Sequence, residues 1–279
     1  MKIALIGNCQ LQQIGWFLKA FFEIHKLEHT VVWYEPIFAL GDKNAQIIPL
    51  FKILDDADMV YGQFHDEKWN SFSTASLCKY FPIRLVPTLE STASFPQMNY
   101  FSDAKMNYNF YSIDFRMLHC YLSGVPMESA PQAYFDVALN AEALAQEIET
   151  TSNKYASKYA EKKVIFDYSQ EYRNAMAHEA VPYFVHNHPN NRQLQWLANQ
   201  ILLDMKSPML VSLENMLPIL NDTIVPALNG VFQDAYRIRS QDLRMQTACK
   251  VNYFFFSSYE KDFLQKELEI SPYWRLVQH

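Results

Sequence analysis

Apolar positions in the first ninety residues follow two alternating rhythms. Lys2–Gly7 is a short apolar run ending on glycine, the pattern of a buried strand. Leu11, Ile14, Leu18 and Phe21–Phe22 then recur at helical spacing. Thr30–Tyr34 is β-branched and aromatic and predicts a second strand. Asp42–Asp56 predicts a helix through Ile47, Ile48, Phe51 and Leu54, which Pro49 should kink or shorten. Asp58–Gly62 predicts a third strand, Ser71–Tyr80 a short helix and Ile83–Val86 a fourth strand. Strands alternating with helices predict a parallel sheet. Ligands of such sheets bind beyond the carboxyl ends of the strands. The loops after Gly7, Tyr34, Gly62 and Val86 are therefore the first places to look for chemistry.

Beyond about residue 95 the alternation stops. Asp114–Ser123 reads as a helix that Gly124-Val125-Pro126 ends, and Asn140–Lys163 as a long polar helix with a solvated face. Val181–His186 reads as a short extended segment. Asn190–Met205 reads as a helix with Leu194, Leu197, Ile201 and Met205 as its apolar stripe and Asn190 as its cap. The aromatic-rich remainder reads as mostly helical. The expected fold is α/β, with a Rossmann-like parallel sheet in the N-terminal half and a mainly helical C-terminal half. The expected organisation is a single domain over 1–279, of which 1–95 form the α/β part and 96–279 the helical part that completes the cleft.

Composition narrows the function classes. Apolar residues make up 49% and charged residues 19%, which excludes disorder and coiled coil. A net charge of −6 gives no counterion-release drive toward nucleic acid. No apolar run approaches the roughly 20 residues of a membrane span. MKIALIG runs straight into polar GNCQ and does not read as a signal peptide. Cys9, Cys78, Cys120 and Cys249 are widely spread without a CxxC pair, so reduced thiols and a cytoplasmic location are expected. Membrane association through a partner is compatible with this.

Gly7-Asn8-Cys9-Gln10 carries the strongest local signal, because it lies where the first strand meets the first helix. Gly7 permits a sharp turn with positive φ. Asn8 can cap the helix or aim its amide at a bound oxygen. Cys9 falls on the first helical turn, where free N–H groups and the helix dipole favour a thiolate, a phosphate or an oxyanion. Free cysteine is also commonly buried and inert, so both readings stay open. Cys78 and Cys120 sit in apolar helical patterns and read as core. His186-Asn187-His188-Pro189-Asn190 carries a second signal. His188 can act as acid or base near neutral pH, with Asn187 orienting it or donating to an oxyanion. Gln63, His65 and Asp66 follow the third strand at the same predicted sheet edge as Cys9, which makes His65 a further acid/base candidate. Arg237, Arg239 and Arg244 could hold phosphates. His186 and His188, with His178 or His65, could ligate a metal, but no carboxylate or cysteine cluster completes a usual spacing, so no metal is expected. GxGxxG, P-loop and GxSxG motifs are absent from the sequence.

The strand running into Gly7-Asn8-Cys9-Gln10, the Gln63-Phe64-His65 segment and Asn187-His188-Pro189 before a helix together resemble the WcbI-type polysaccharide-biosynthesis family. Residues 95–180 and the C-terminal quarter add no motif to that resemblance. It implies an acetyltransferase of bacterial capsule pathways that binds coenzyme A and could associate peripherally with a polysaccharide assembly complex. It also implies Cys9 and His188 as a nucleophile/base pair and coenzyme A near the first strand–helix turn. Gly7, Asn8, Gln10, Asn187 and Arg237 are then the expected cofactor contacts, and a glycan or sugar precursor the acceptor. The rival readings are an esterase or deacetylase using the same Cys–His pair, a non-catalytic glycan- or nucleotide-binding module, and a glycosyltransferase.

Overall fold

The N-terminal apolar run forms β1 (Lys2–Ile6), whose Ile3, Ala4, Leu5 and Ile6 are all buried. Burial on both faces is what a central parallel strand requires. The computed structural model of the protein describes residues 1–40, 43–94, 96–99, 101, 113–136, 139–179, 182–213 and 243–277. After β1 come α1 (Cys9–Ile24), β2 (Thr30–Trp33), α2 (Lys43–Asp56) and β3 (Met59–Gly62). A 3-10 turn (Glu67–Phe72), α3 (Thr74–Leu77) and β4 (Ile83–Leu85) complete the first alternation. The four strands form a parallel sheet in the order β2-β1-β3-β4, as the alternation predicts.

The side-chain period of two divides this sheet between two layers. Ala4, Ile6 and Val60 pack with Leu50 and Leu54 of α2 on one face. On the other face Tyr61 passes its hydroxyl to Asp204 of α8 (Asn191–Asp204) at 2.7 Å. Arg84 of β4 bonds the second oxygen of the same carboxylate at 2.5 Å. α1 packs against β1, β2 and α8, burying the predicted Leu11, Ile14, Leu18, Phe21 and Phe22. Pro49 does not break α2. It lies on the exposed side of the helix. The single helix expected over Ser71–Tyr80 is instead a 3-10 turn and a one-turn α-helix joined at Ser73, whose hydroxyl caps α3.

In space the chain forms two compact units, each drawn from three segments. The first holds the described residues of Met1–Leu89, Ser152–Tyr172 and Pro189–Leu220. The second holds those of Glu90–Thr151, Arg173–His188 and Asn221–His279. Besides the parallel sheet, the first unit contains an aromatic cluster of Tyr155, Tyr168, Tyr172 and Trp196. The second unit contains α4 (Phe115–Leu122), α5 (Ala130–Asp136), α9 (Leu243–Phe256), α10 (Lys261–Ile270) and α11 (Pro272–Val277). Their core includes Phe115, Met117, Leu118, Tyr134, Met245, Phe256 and Tyr273. β5 (Met98–Asn99) and β6 (Ile113–Asp114) pair antiparallel beside it.

α6 (Ala141–Ala160) is not wholly a solvated helix, because its middle turns bury Thr151, Ser152 and Tyr155. The remaining elements are α7 (Ser169–His178), β7 (Tyr183–Val185) and β8 (His188–Pro189). Neither α5 nor α7 is expected from the periodicity. Cys120 and Cys249 are buried, whereas Cys78 is exposed. Cys78 ends α3, and the apolar side of that turn is taken by Leu77 and Phe81.

The packing of α1 on β2 is tightest at Gly15. A Cβ there would stand 2.3 Å from Tyr34 Cβ and 2.7 Å from Tyr34 Cγ. Helix propensity alone favours alanine at such a position by about 1 kcal/mol. The clash involves the root of the Tyr34 side chain, so the backbone must move, and overpacking of this kind costs about 1–3 kcal/mol. Gly15→Ala is therefore expected to lower the urea midpoint at unchanged slope. A raised midpoint would show that α1 and β2 are free to separate.

Candidate active site

The β2-β1-β3-β4 order reverses the chain's direction of travel between β1 and β3. The loops leaving these neighbouring strands part in opposite directions and open a crevice at their carboxyl ends. Gly7-Asn8-Cys9-Gln10 leaves β1 there, and Gln63-Phe64-His65 leaves β3. Asn8 is the cap of α1, in extended geometry, and its Oδ1 accepts the Gln10 N–H at 2.8 Å. Its carbonyl accepts the Gln12 N–H at 3.2 Å, the first bond of the helix. Cys9 is the first residue of α1 and is half-buried.

All three other strand loops reach this turn. Ile37, past β2, donates its N–H to Gly7 O at 3.1 Å. Gln63, past β3, accepts the Asn8 N–H on Oε1 at 3.0 Å and donates Nε2 to Gln10 Oε1 at 2.9 Å. Leu89, past β4, donates to Gln10 Oε1 at 3.0 Å, and its carbonyl accepts Gln10 Nε2 at 2.8 Å. Gln10 and Gln63 are both buried. Gln10 therefore braces the turn from inside the fold.

Gly7 is required here for a reason other than the expected one. Among the described residues the glycine with positive φ is Gly124, in the turn after α4. A Cβ on Gly7 would lie 2.6 Å from Gln63 Oε1 and 2.7 Å from Leu11 Cδ1. Glycine makes room for the Gln63 amide.

His65 lies two residues beyond Gln63. Its loop is closed by His65 N–H to Thr74 Oγ1 at 2.8 Å and Thr74 N–H to His65 O at 3.0 Å. Burial pushes its imidazole down to about 4, against a hydrogen bond to the Gln63 backbone and the nearby Asp66 charge, which both pull upward. Near neutral pH it is uncharged, so it can offer a hydrogen bond but has no imidazolium proton to give.

The second candidate group lies in the other unit. β7 and β8 form a two-stranded sheet whose turn is His186-Asn187. The carbonyl of His186 accepts the Ser91 N–H at 2.7 Å. Burial lowers the His186 pKa to about 4, while the Glu90 carboxylate raises it and His188 lowers it further. Glu90, His186 and His188 are thus electrostatic neighbours. His188 is partly exposed, and Pro189 behind it is buried. Asn190 caps α8 as the sequence predicts, its Oδ1 accepting the Gln193 N–H at 3.1 Å.

The structure therefore brings Gly7, Asn8, Cys9, Gln10 and His65 to one sheet edge, and Asn187 and His188 to one hairpin. The two groups belong to different units. Arg237 and Arg239 lie outside the described residues. Among the described residues there is no group of three or more potential metal ligands. Nor is any helix long and apolar enough to cross a membrane. Residues that sequence patterns do not mark as participants are Leu89 and Glu90. Their sole sequence signal is that they follow the fourth strand.

No curated protein matches the chain. Among solved structures, one matches with a TM-score of 0.71 at 12% identity, over 96% of this chain and 93% of its own. That protein is described as WcbI, a novel polysaccharide biosynthesis enzyme, in a native form without a disulfide bond between coenzyme A and one of its cysteines. At this identity the likeness shows a shared α/β fold. The family model for the polysaccharide biosynthesis enzyme WcbI matches residues 2–208, a span that runs from β1 through α8 and contains both the Cys9 turn and the His188 hairpin. The chain belongs to the WcbI polysaccharide biosynthesis enzyme family.

Proposed function

We propose that this protein is a coenzyme-A-dependent O-acetyltransferase that acts on a polysaccharide or its sugar precursor. Cys9 is the nucleophile and His188 the base. The observation that carries the reading is the place of Cys9: half-exposed, on the first turn of α1, at the sheet's switch point. The family and the coenzyme A named for the similar structure supply the substrate class.

The family match supports assigning both Cys9 and His188 to the reaction, since it spans both motifs. Exposed Phe64 beside the turn offers an apolar ring against which an adenine or a sugar face can lie.

In this reading the Cys9 thiolate attacks the acetyl carbonyl, the bond to the coenzyme A sulfur breaks, and the departing thiolate takes the proton that His188 received from Cys9. A sugar hydroxyl then gives its proton to His188 and attacks the acetyl group on Cys9, which regains the thiolate. The helix dipole at the N-terminus of α1 favours the developing oxyanion. Asn8 adds its Nδ2 side, since its Oδ1 is committed to the cap. A direct attack by the sugar hydroxyl, with His188 as base, needs the same residues without the covalent step.

Cys9→Ser is expected to lose most turnover while keeping coenzyme A binding, and His188→Ala to lose about 10²–10⁴-fold. The two losses should not add, because both residues serve one proton transfer. An added acetyl mass on the Cys9 peptide after exposure to acetyl-coenzyme A supports the covalent route. Near-normal turnover in Cys9→Ser alone favours direct attack, and full activity in both variants removes the assignment. Acetate release from an acetylated glycan, with no coenzyme A formed, identifies an esterase instead.

Coenzyme A at a hundredfold excess over its Kd is expected to stabilise the fold by about 2.7 kcal/mol. A chelator should leave that thermal shift unchanged. Absence of any shift at millimolar coenzyme A overturns the cofactor reading.

His65, with its pKa near 4, is already neutral throughout the range in which a base near neutrality titrates. His65→Gln is therefore expected to leave the midpoint of the turnover–pH profile above pH 5 in place. A midpoint moved by a full unit would make His65 the titrating base.

A further inference from the structure

The side chain of Gln63 touches the residues on both sides of Cys9. Its Oε1 takes the Asn8 N–H and its Nε2 meets Gln10 Oε1. The direction of these bonds is fixed. Asn8 N–H can meet only an oxygen, so Gln63 turns Oε1 toward it and Nε2 toward Gln10. Gln10 in turn must offer Oε1 to both Gln63 Nε2 and Leu89 N–H, which leaves its own Nε2 for the Leu89 carbonyl. Neither amide can flip without setting donor against donor. Gly7 has no side chain in the space the Gln63 amide fills. Buried amides bonded this completely are costly to disturb.

From this arrangement we propose that Gln63 is a positioning residue for Cys9: its carboxamide fixes the turn that presents the sulfur and keeps the buried side of that turn uncharged. The inference rests on Cys9 being the reactive group of the proposed function. Neutrality matters because a like charge within about 4–6 Å of a thiolate raises the thiol pKa by one or more units. On the described loops that meet the turn, the charged groups are Glu35, Asp66, Glu67 and Lys68, all exposed, and Glu90, which is partly buried and whose charge acts on His186. Asp66 and Lys68 pair at 3.3 Å. None of the four exposed groups supplies charge from the buried side, where Gln63 lies.

The test needs neither coenzyme A nor an acceptor. The full chain is alkylated with iodoacetamide across pH 6–9, and the Cys9 and Cys78 peptides are followed by mass spectrometry. Cys78 is exposed and serves as the internal reference thiol. In Gln63→Glu, of equal shape but charged, Cys9 labelling relative to Cys78 is expected to fall about tenfold at pH 7. Its midpoint should rise by about one unit. In Gln63→Met, of similar volume without the amide, the midpoint is expected to move in the same direction by less. A purely structural role would lower the melting temperature of these variants and leave the Cys9 profile of the folded protein where it was; that result overturns the proposal. If the buried carboxylate of Gln63→Glu prevents folding, Gln63→Met alone decides, by the same comparison. A wild-type protein that binds no coenzyme A but whose Cys9 profile depends on residue 63 would overturn the proposed function and leave this inference standing.

Discussion

A buried pair of carboxamides holds the loops at the sheet's carboxyl edge together. Gln10 and Gln63 stand 53 positions apart and share a hydrogen bond of 2.9 Å. Burying an unpaired amide costs several kcal/mol, so such groups persist only when their donors and acceptors are met. Here the partners are backbone groups of the turn after β1 and the segment after β4, while Gln63 itself follows β3. The loop after β2 joins through Ile37 and Gly7. One polar network therefore sets the positions of loops from all four strands. The requirement also reaches back to the identity of residue 7, since any side chain there would displace the Gln63 amide.

The second unit uses a comparable device in an apolar core. Asp114 caps α4, with Oδ1 accepting from Arg116 and Met117 N–H and Oδ2 from the Tyr134 hydroxyl at 2.9 Å. Burial still pushes this carboxyl up to about 6, against those hydrogen bonds and the Arg116 charge. The same core holds Cys120 and Cys249, whose thiols burial pushes up to about 11 and about 12. Those two are protonated at any physiological pH and fill space. Cys9 differs by location: it is half-buried on the first turn of a helix, where the helix dipole favours a thiolate. Position in the fold thus separates a candidate nucleophile from packing residues of identical chemistry.

The elements legible from the sequence are those whose burial repeats locally. β1 is a continuous apolar run because both its faces are covered, and α1 shows its stripe because one face meets the sheet. Asn190 is legible as a cap because the preference for it is local. α5 and α7 escape notice because they are short, and α7 is polar, with little stripe to see. Cys78 misleads because its apolar neighbours Leu77 and Phe81 are buried by their own direction on a single turn, which leaves Cys78 outward. The roles of Gln63 and Leu89 are invisible in any local window. They arise from bonds to residues more than 50 positions away, and glutamine after a strand carries no periodic signal.

Both candidate reactive residues sit beside an asparagine cap. Asn8 caps α1 and Cys9 is its first residue; Asn190 caps α8 and His188 lies two residues before it. A side-chain cap contributes about 1 kcal/mol and, more usefully, fixes the entry angle of the chain into the helix. α1 and α8 pack against one another, and α8 is tied to the sheet through Asp204, Tyr61 and Arg84. The two caps therefore belong to one packed helix pair, although about 180 residues of sequence separate them. A residue carried at the end of such an element needs no free loop to be ordered before it can act. The buried Gln10–Gln63 pair and the Asp204 tie are what keep that helix pair in register with the sheet.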